Sequence, residues 1–129
     1  MNYLLDSHTF LWFVDGNPKL PRRNIELISN HNNDVFLSFA SVWEMGIKNA
    51  LGKLNVPGNF SSFIHSTLRS KRMHSLEIKM EHIFTAVSFP LHHRDPFDRV
   101  LVAQSKLENI PIISNDTMLD KYGVKRVWD

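Results

Sequence analysis

The sequence contains no cysteine, which excludes a disulfide framework, thiolate metal ligation and zinc fingers, and suits a reducing compartment. It also has no uninterrupted apolar run long enough to span a bilayer. The amino terminus, Met1-Asn2-Tyr3-Leu4-Leu5-Asp6, has no basic segment and meets an acid after two leucines, so it fits neither a signal peptide nor a membrane anchor. Repeats, low-complexity tracts and linkers are missing as well. Charge of one sign is never in large excess: the formal net charge is +2, which permits a polyanionic partner without requiring one.

What is present is the composition of an ordinary globular protein. Of 129 residues, 43% are hydrophobic and 22% charged, enough for one core and one domain over residues 1–129, placed by these features in the cytoplasm. Basic residues gather at Arg22-Arg23, Arg69 with Lys71-Arg72, Arg94 with Arg99, and Lys121 with Lys125-Arg126; solvated helix ends and loops account for such clusters as readily as a ligand does.

Hydrophobic periodicity supplies the organisation. Tyr3-Leu4-Leu5 stops at Asp6, Val35-Phe36-Leu37 at Ser38, and Pro111-Ile112-Ile113 at Ser114-Asn115-Asp116. Short apolar runs that end in small polar residues suit strands of a parallel sheet covered on both faces. Ser75 to Ile78 and Lys125 to Trp128 are weaker strand candidates. Helical spacing marks segments 41–51, 60–70 and Phe97 to Asn109, and Leu20-Pro21 with Ile25, Leu27 and Ile28 suggests another helix with Pro21 in its first turn. The predicted fold is therefore α/β, a three-layer α/β/α sandwich around a parallel sheet of four to five strands. In such a fold strand carboxyl ends and helix amino ends meet on one edge, where ligands bind.

Asp6 follows the first strand, Glu44 falls in the first turn of the helix after the second, Asp116 follows the fourth, and Asp95 and Asp98 open the helix leading into that strand. All are expected at the ligand edge. Each acid also has a purely structural role open to it. Ser41-Val42-Trp43-Glu44 matches a capping box. Asp95 can cap a helix begun by Pro96, with Asp98 favoured by the dipole; Asp6 and either Asn115 or Asp116 can cap in the same way.

Carboxylates brought close together repel one another unless a cation intervenes. The histidines lack the short spacing of a zinc site, so an all-oxygen site for Mg²⁺ or Mn²⁺ is what remains. Such an ion activates water and stabilises the leaving oxygen in phosphodiester hydrolysis. Ser7, Thr9, Ser38 and Asn115 lie beside the acids, where they can orient ligands or simply cap and pack.

Four blocks carry a family resemblance: Leu4-Leu5-Asp6-Ser7-His8-Thr9-Phe10-Leu11-Trp12, Ser38 to Glu44, the Pro90 to Arg99 stretch ending Asp95-Pro96-Phe97-Asp98-Arg99, and Ile113-Ser114-Asn115-Asp116. In order and spacing they resemble the PIN domain, and within it the VapC-type toxin ribonucleases. The resemblance implies a metal-dependent endoribonuclease with Mg²⁺ or Mn²⁺, frequent homodimers, and a VapB-type antitoxin as inhibitory partner. It carries the acidic set over onto Asp6, Glu44, Asp98 and Asp116 as metal ligands and catalytic residues. Asp95 is an additional acid, and Asp98 is preferred to it because Asp98 begins the apolar stripe of its helix. The choice of RNA as substrate comes from the resemblance alone.

Arg94 and Arg99 have geometry suited to substrate phosphate, or they balance the acids. His92 and His93 either meet RNA or are plain loop residues. Phe10, Trp12, Phe13 and Trp43 either pack the core or form a face for a partner. Two rival functions stand beside the nuclease: a phosphatase of haloacid-dehalogenase type, which wants a second Asp where His8 stands and a lysine with no obvious source, and a PIN-like module that binds RNA or a partner without cutting.

Overall fold

The structure, a computed structural model, describes residues 1–91 and 95–129. Five strands, β1 (Asn2–Leu5), β2 (Asp34–Ser38), β3 (His74–Leu76), β4 (Ile112–Ile113) and β5 (Arg126–Val127), form one sheet in the order β3-β2-β1-β4-β5. Every pairing is parallel. The chain builds outward from β1 through β2 to β3, then crosses to the other side of β1 for β4 and β5. The order therefore reverses between β1 and β4.

Alternation along the strands divides the core in two. Tyr3, Leu5, Val35, Leu37 and Ile113 face one layer, which holds α1 (Ser7–Asp15), α2 (Arg22–Ser29), α3 (Phe39–Ala50) and α4 (Phe60–Ser70). Leu4, Phe36 and Ile112 face the other, where Leu101 and Val102 of α6 (Pro96–Glu108) and Leu119 and Tyr122 of the short 3₁₀ helix η1 (Thr117–Tyr122) complete the packing. The helix α5 (Met80–Ser88) lies along α6. His82, fully buried, fastens the two: its Nδ1 accepts from the Lys79 N–H at 3.0 Å and its Nε2 meets Glu108 at 2.9 Å.

The expected three-layer sandwich is thus the observed one, with small shifts of boundary. The strand sought at 75–78 is His74–Leu76, and the one at 125–128 shrinks to Arg126–Val127. Helix α3 starts at Phe39 rather than residue 41, because Ser38 caps it by accepting the Ala40 N–H at 3.0 Å. Pro21 stands just before α2 instead of inside its first turn. Among the described residues no helix is long and apolar enough to cross a membrane.

Candidate functional site

The reversal between β1 and β4 leaves a crevice beyond their carboxyl ends, the place where open parallel sheets take ligands. Asp6 leaves β1 and Ser114 leaves β4, so the register that pairs Leu5 with Ile113 sets these two polar residues side by side. Both are buried. Asp6 caps α1 by accepting the Thr9 N–H through Oδ1 at 2.9 Å, and its Oδ2 accepts a short hydrogen bond from Ser114 Oγ. Ser114 Oγ in turn accepts the Asp116 N–H at 3.0 Å. One hydroxyl thereby fixes the distance between two acids 110 positions apart in the chain.

Asp116 caps η1 through the Met118 N–H at 3.0 Å. Asp95 caps α6, its Oδ1 accepting from Phe97 at 2.8 Å and Asp98 at 3.4 Å, with Pro96 opening the helix and Asp98 in its first turn. Capping roles and site placement coexist in these residues. The amino ends of α1, α3 and α6 meet at this edge, and their dipoles favour negative charge.

Glu44 is the one acid whose local setting departs from the sequence-based expectation. It lies in the second turn of α3 and makes no capping box with Ser41, because the cap is Ser38. Its side chain is 13% exposed and reaches sideways: Oε1 accepts from Ser7 Oγ at 2.7 Å and Oε2 pairs with Lys48 Nζ at 3.3 Å.

Asp6, Glu44, Asp98 and Asp116, together with Asp95, Ser7 and Asn115, line one cavity of about 460 Å³. Sequence reasoning missed four contributors. His8, Trp12 and Lys48 complete the lining, and Ser114 sits beneath it. Lys48 was legible as the i+4 neighbour of Glu44, and His8 and Trp12 as one face of α1; Ser114 was legible only through a strand register that no local pattern carries. Thr9 and Ser38 prove structural: Thr9 donates to the Ile113 carbonyl at 2.9 Å, and Ser38 donates to the buried Gln104. Arg99 is not among the described lining residues, and its buried Nε has no hydrogen-bond partner among the described residues. Arg94, His92 and His93 lie outside the described residues.

The aromatic residues divide. Phe10 is fully buried, Trp12 and Phe13 are half-buried, and Trp43 is 63% exposed with its ring edge-on to Phe97 at 5.1 Å. Arg126, one of the clustered bases, is spent internally: it holds Asp120 through two bonds of 2.8 and 3.0 Å and donates to the Ser114 carbonyl at 3.0 Å. That guanidinium keeps the Asp120 carboxyl below the usual carboxylate range, chiefly by hydrogen bonding, against a smaller opposing effect of desolvation.

The donor set suits a hard divalent cation. Five carboxylates face one lysine among the described lining residues, and oxygen ligands predominate, with His8 adding an imidazole. The grip is open: among the described residues no three carboxylates or imidazoles stand within joint reach of one ion. A cation there would take no more than two of these carboxylates directly and meet the others through water.

Comparison with known proteins follows the same lines. A family model of the PIN domain matches residues 3–125. No curated protein matches the sequence significantly. Among solved structures, VapBC2 from Rickettsia felis, bound to a DNA fragment from its promoter, is 16% identical with a TM-score of 0.74, covering 100% of both chains. VapBC-1 from nontypeable Haemophilus influenzae is 16% identical at a TM-score of 0.66, covering 98% of this chain and 97% of the other. FitAcB from Neisseria gonorrhoeae is 19% identical at 0.64, covering 96% and 95%. At these identities the likeness is one of fold.

Proposed function

The chain belongs to the PIN-domain family, whose members are generally nucleases, and from that premise we propose that it is a divalent-metal-dependent endoribonuclease acting as the toxin of a toxin–antitoxin pair. One observation carries the proposal: Asp6, Glu44, Asp98 and Asp116, drawn from four separate elements, line a single cavity at the switch point of the sheet. Mg²⁺ or Mn²⁺ would be held there by one or two carboxylates directly, out of Asp6, Glu44, Asp98 and Asp116, and by the others through its waters, and would supply an activated water and neutralise charge on the leaving oxygen.

The chain's own residues do the positioning. Asp6 is locked by Thr9 and Ser114, so its carboxylate meets a ligand without reorganising. Ser114 couples Asp116 to Asp6, and Ser7 couples Glu44 to α1. Arg94 is assigned to substrate phosphate on account of its place just before Asp95, whereas Arg99, outside the described lining with its Nε buried, is not given that role.

A VapB-type antitoxin is the proposed protein partner, supported by the complexes in which the fold relatives were solved. A homodimer is supported by Phe39, Trp43, Ile47 and Leu51, an apolar stripe at intervals of four along α3 that stays 39–64% exposed. The same proposal puts the protein in the cytoplasm with its RNA. The phosphatase alternative is weaker, since His8 stands where its second aspartate is needed and Lys48 is tied to Glu44.

The decisive assay uses protein freed of any inhibitor. Cleavage of RNA with Mg²⁺ or Mn²⁺ is expected, and either chelation or Asp6→Asn is expected to lower it more than about a hundredfold, beyond the 10- to 100-fold typical of residues that merely orient ligands. RNA that is bound and left intact would favour the non-cutting module, and a trapped phosphoaspartate on Asp6 the phosphatase.

A further inference from the structure

The acid cavity has a second wall of different chemistry. His8 and Trp12, one helical turn apart on α1, both line it, with ring centres 5.7 Å apart and planes at 69°. The His8 ring is exposed, whereas Trp12 is half-buried, backed by Trp128 at 6.1 Å. Lys19 Nζ lies 5.7 Å from the centre of the indole.

We propose that this corner is a nucleobase subsite: an unpaired base of the substrate stacks on the His8 imidazole with its edge against Trp12, while Lys19 faces a neighbouring phosphate. The assignment rests on the nuclease function above and narrows it to single-stranded or looped RNA. Beside whatever a metal and the basic side chains offer the phosphate backbone, the cavity's aromatic wall offers an attraction that does not depend on backbone charge. Stacking provides one, because every base has a π-face, and it tolerates sequence. A base inside a duplex has both faces covered and cannot enter such a corner, whereas splayed bases of loops and single strands can.

Position supports the chemistry. His8 lies two residues beyond Asp6 on the helix that Asp6 caps, so the stacked base and the acid share one rigid element. A base seated at the corner holds its adjoining phosphate over the carboxylates. An exposed imidazole and a lysine suit a heterocycle and its phosphate better than they suit the aliphatic anchor of a peptide.

The test measures binding of a labelled, unstructured RNA oligonucleotide by anisotropy in Asp6→Asn protein with Mg²⁺, alongside the duplex of the same sequence. His8 is exposed, so His8→Ala should leave folding intact. It is expected to weaken single-strand binding by about fivefold or more, the lower range for loss of a stacked base. His8→Phe, which keeps a ring, should restore it, and duplex binding should not respond. In otherwise wild-type protein, His8→Ala should raise KM more than it lowers kcat.

Unchanged single-strand binding overturns the subsite, and so does an equal loss for strand and duplex. If His8→Ala spares RNA and instead weakens capture of the antitoxin, the corner is a protein-docking site and the proposal fails. Cleavage that is indifferent to His8 removes the subsite and keeps the nuclease; binding that depends on His8 without cleavage by the wild type does the reverse.

Discussion

The two edges of the sheet each carry a cavity, and they are opposites in charge. At the carboxyl edge, about 460 Å³ is lined by five carboxylates. Where β2 and β3 begin, a larger space of about 620 Å³ is lined by His31, Lys71, Arg72 and His74, with Asp34 as its acid. Size would select the second cleft, and chemistry selects the first. The difference follows from a parallel sheet with return helices: helix amino ends collect at one edge and carboxyl ends at the other, and their dipoles favour acids at the first and bases at the second. At the basic edge the charges have local work to do. Arg72 meets His31 at 3.3 Å, His74 meets Asp34 at 3.3 Å, and Lys71 lies over the Phe13 ring. At the acidic edge the charges are held too, but five of them line one cavity.

The strongest challenge to this contrast is Ser114→Ala. It removes the donor to Asp6 and the acceptor for the Asp116 N–H without touching any proposed ligand. Cleavage is expected to fall 10- to 100-fold, with a loss of stability of about 1–3 kcal/mol from the stranded polar partners, read by steady-state kinetics and urea unfolding. Activity unchanged within twofold would mean that the acids need no orienting network.

A smaller effect of opposite sign is expected at the basic edge. Arg72 follows α4 at φ 56°, a left-handed conformation that costs a side chain about 1 kcal/mol. Arg72→Gly relieves that strain, and Gly is the usual residue at this point past a helix end. Melting temperature should rise by a few degrees while cleavage stays within twofold of the parent. A large loss of cleavage would move part of the function to the wrong edge.

The smallest effect concerns Asp120, whose carboxyl is held low by Arg126. A depressed carboxylate contributes stability that is complete above its unfolded value of about 3.9 and disappears as pH falls through the folded one. The difference in urea midpoint between wild type and Asp120→Asn should therefore persist at neutral pH and vanish on acidification below about 4. A difference that stays constant with pH would leave the ion pair without a part in anchoring β5.

What the sequence made legible was whatever is local. Leu4-Leu5-Asp6 announces a buried strand ending at an acid, and Asp95-Pro96 announces a helix start, because three or four consecutive residues suffice for each. Glu44 shows the limit. Ser41 and Glu44 imitate a capping box, yet Ser38 captures the helix start first, and the true partners of Glu44 are Ser7, 37 positions away, and Lys48. The Ser114–Asp6 bond spans 108 positions and exists only because β4 pairs with β1. Among aromatics, a periodic stripe could not separate Phe10, which is sealed in the core, from Trp43, which faces solvent.

The sheet tapers, from five residues in β2 to three in β3 and two in β5. A stray chain seeking to add itself to either margin finds only two or three rungs to grip. Fibre growth by edge pairing therefore has almost no template, however much aliphatic strand the sheet buries.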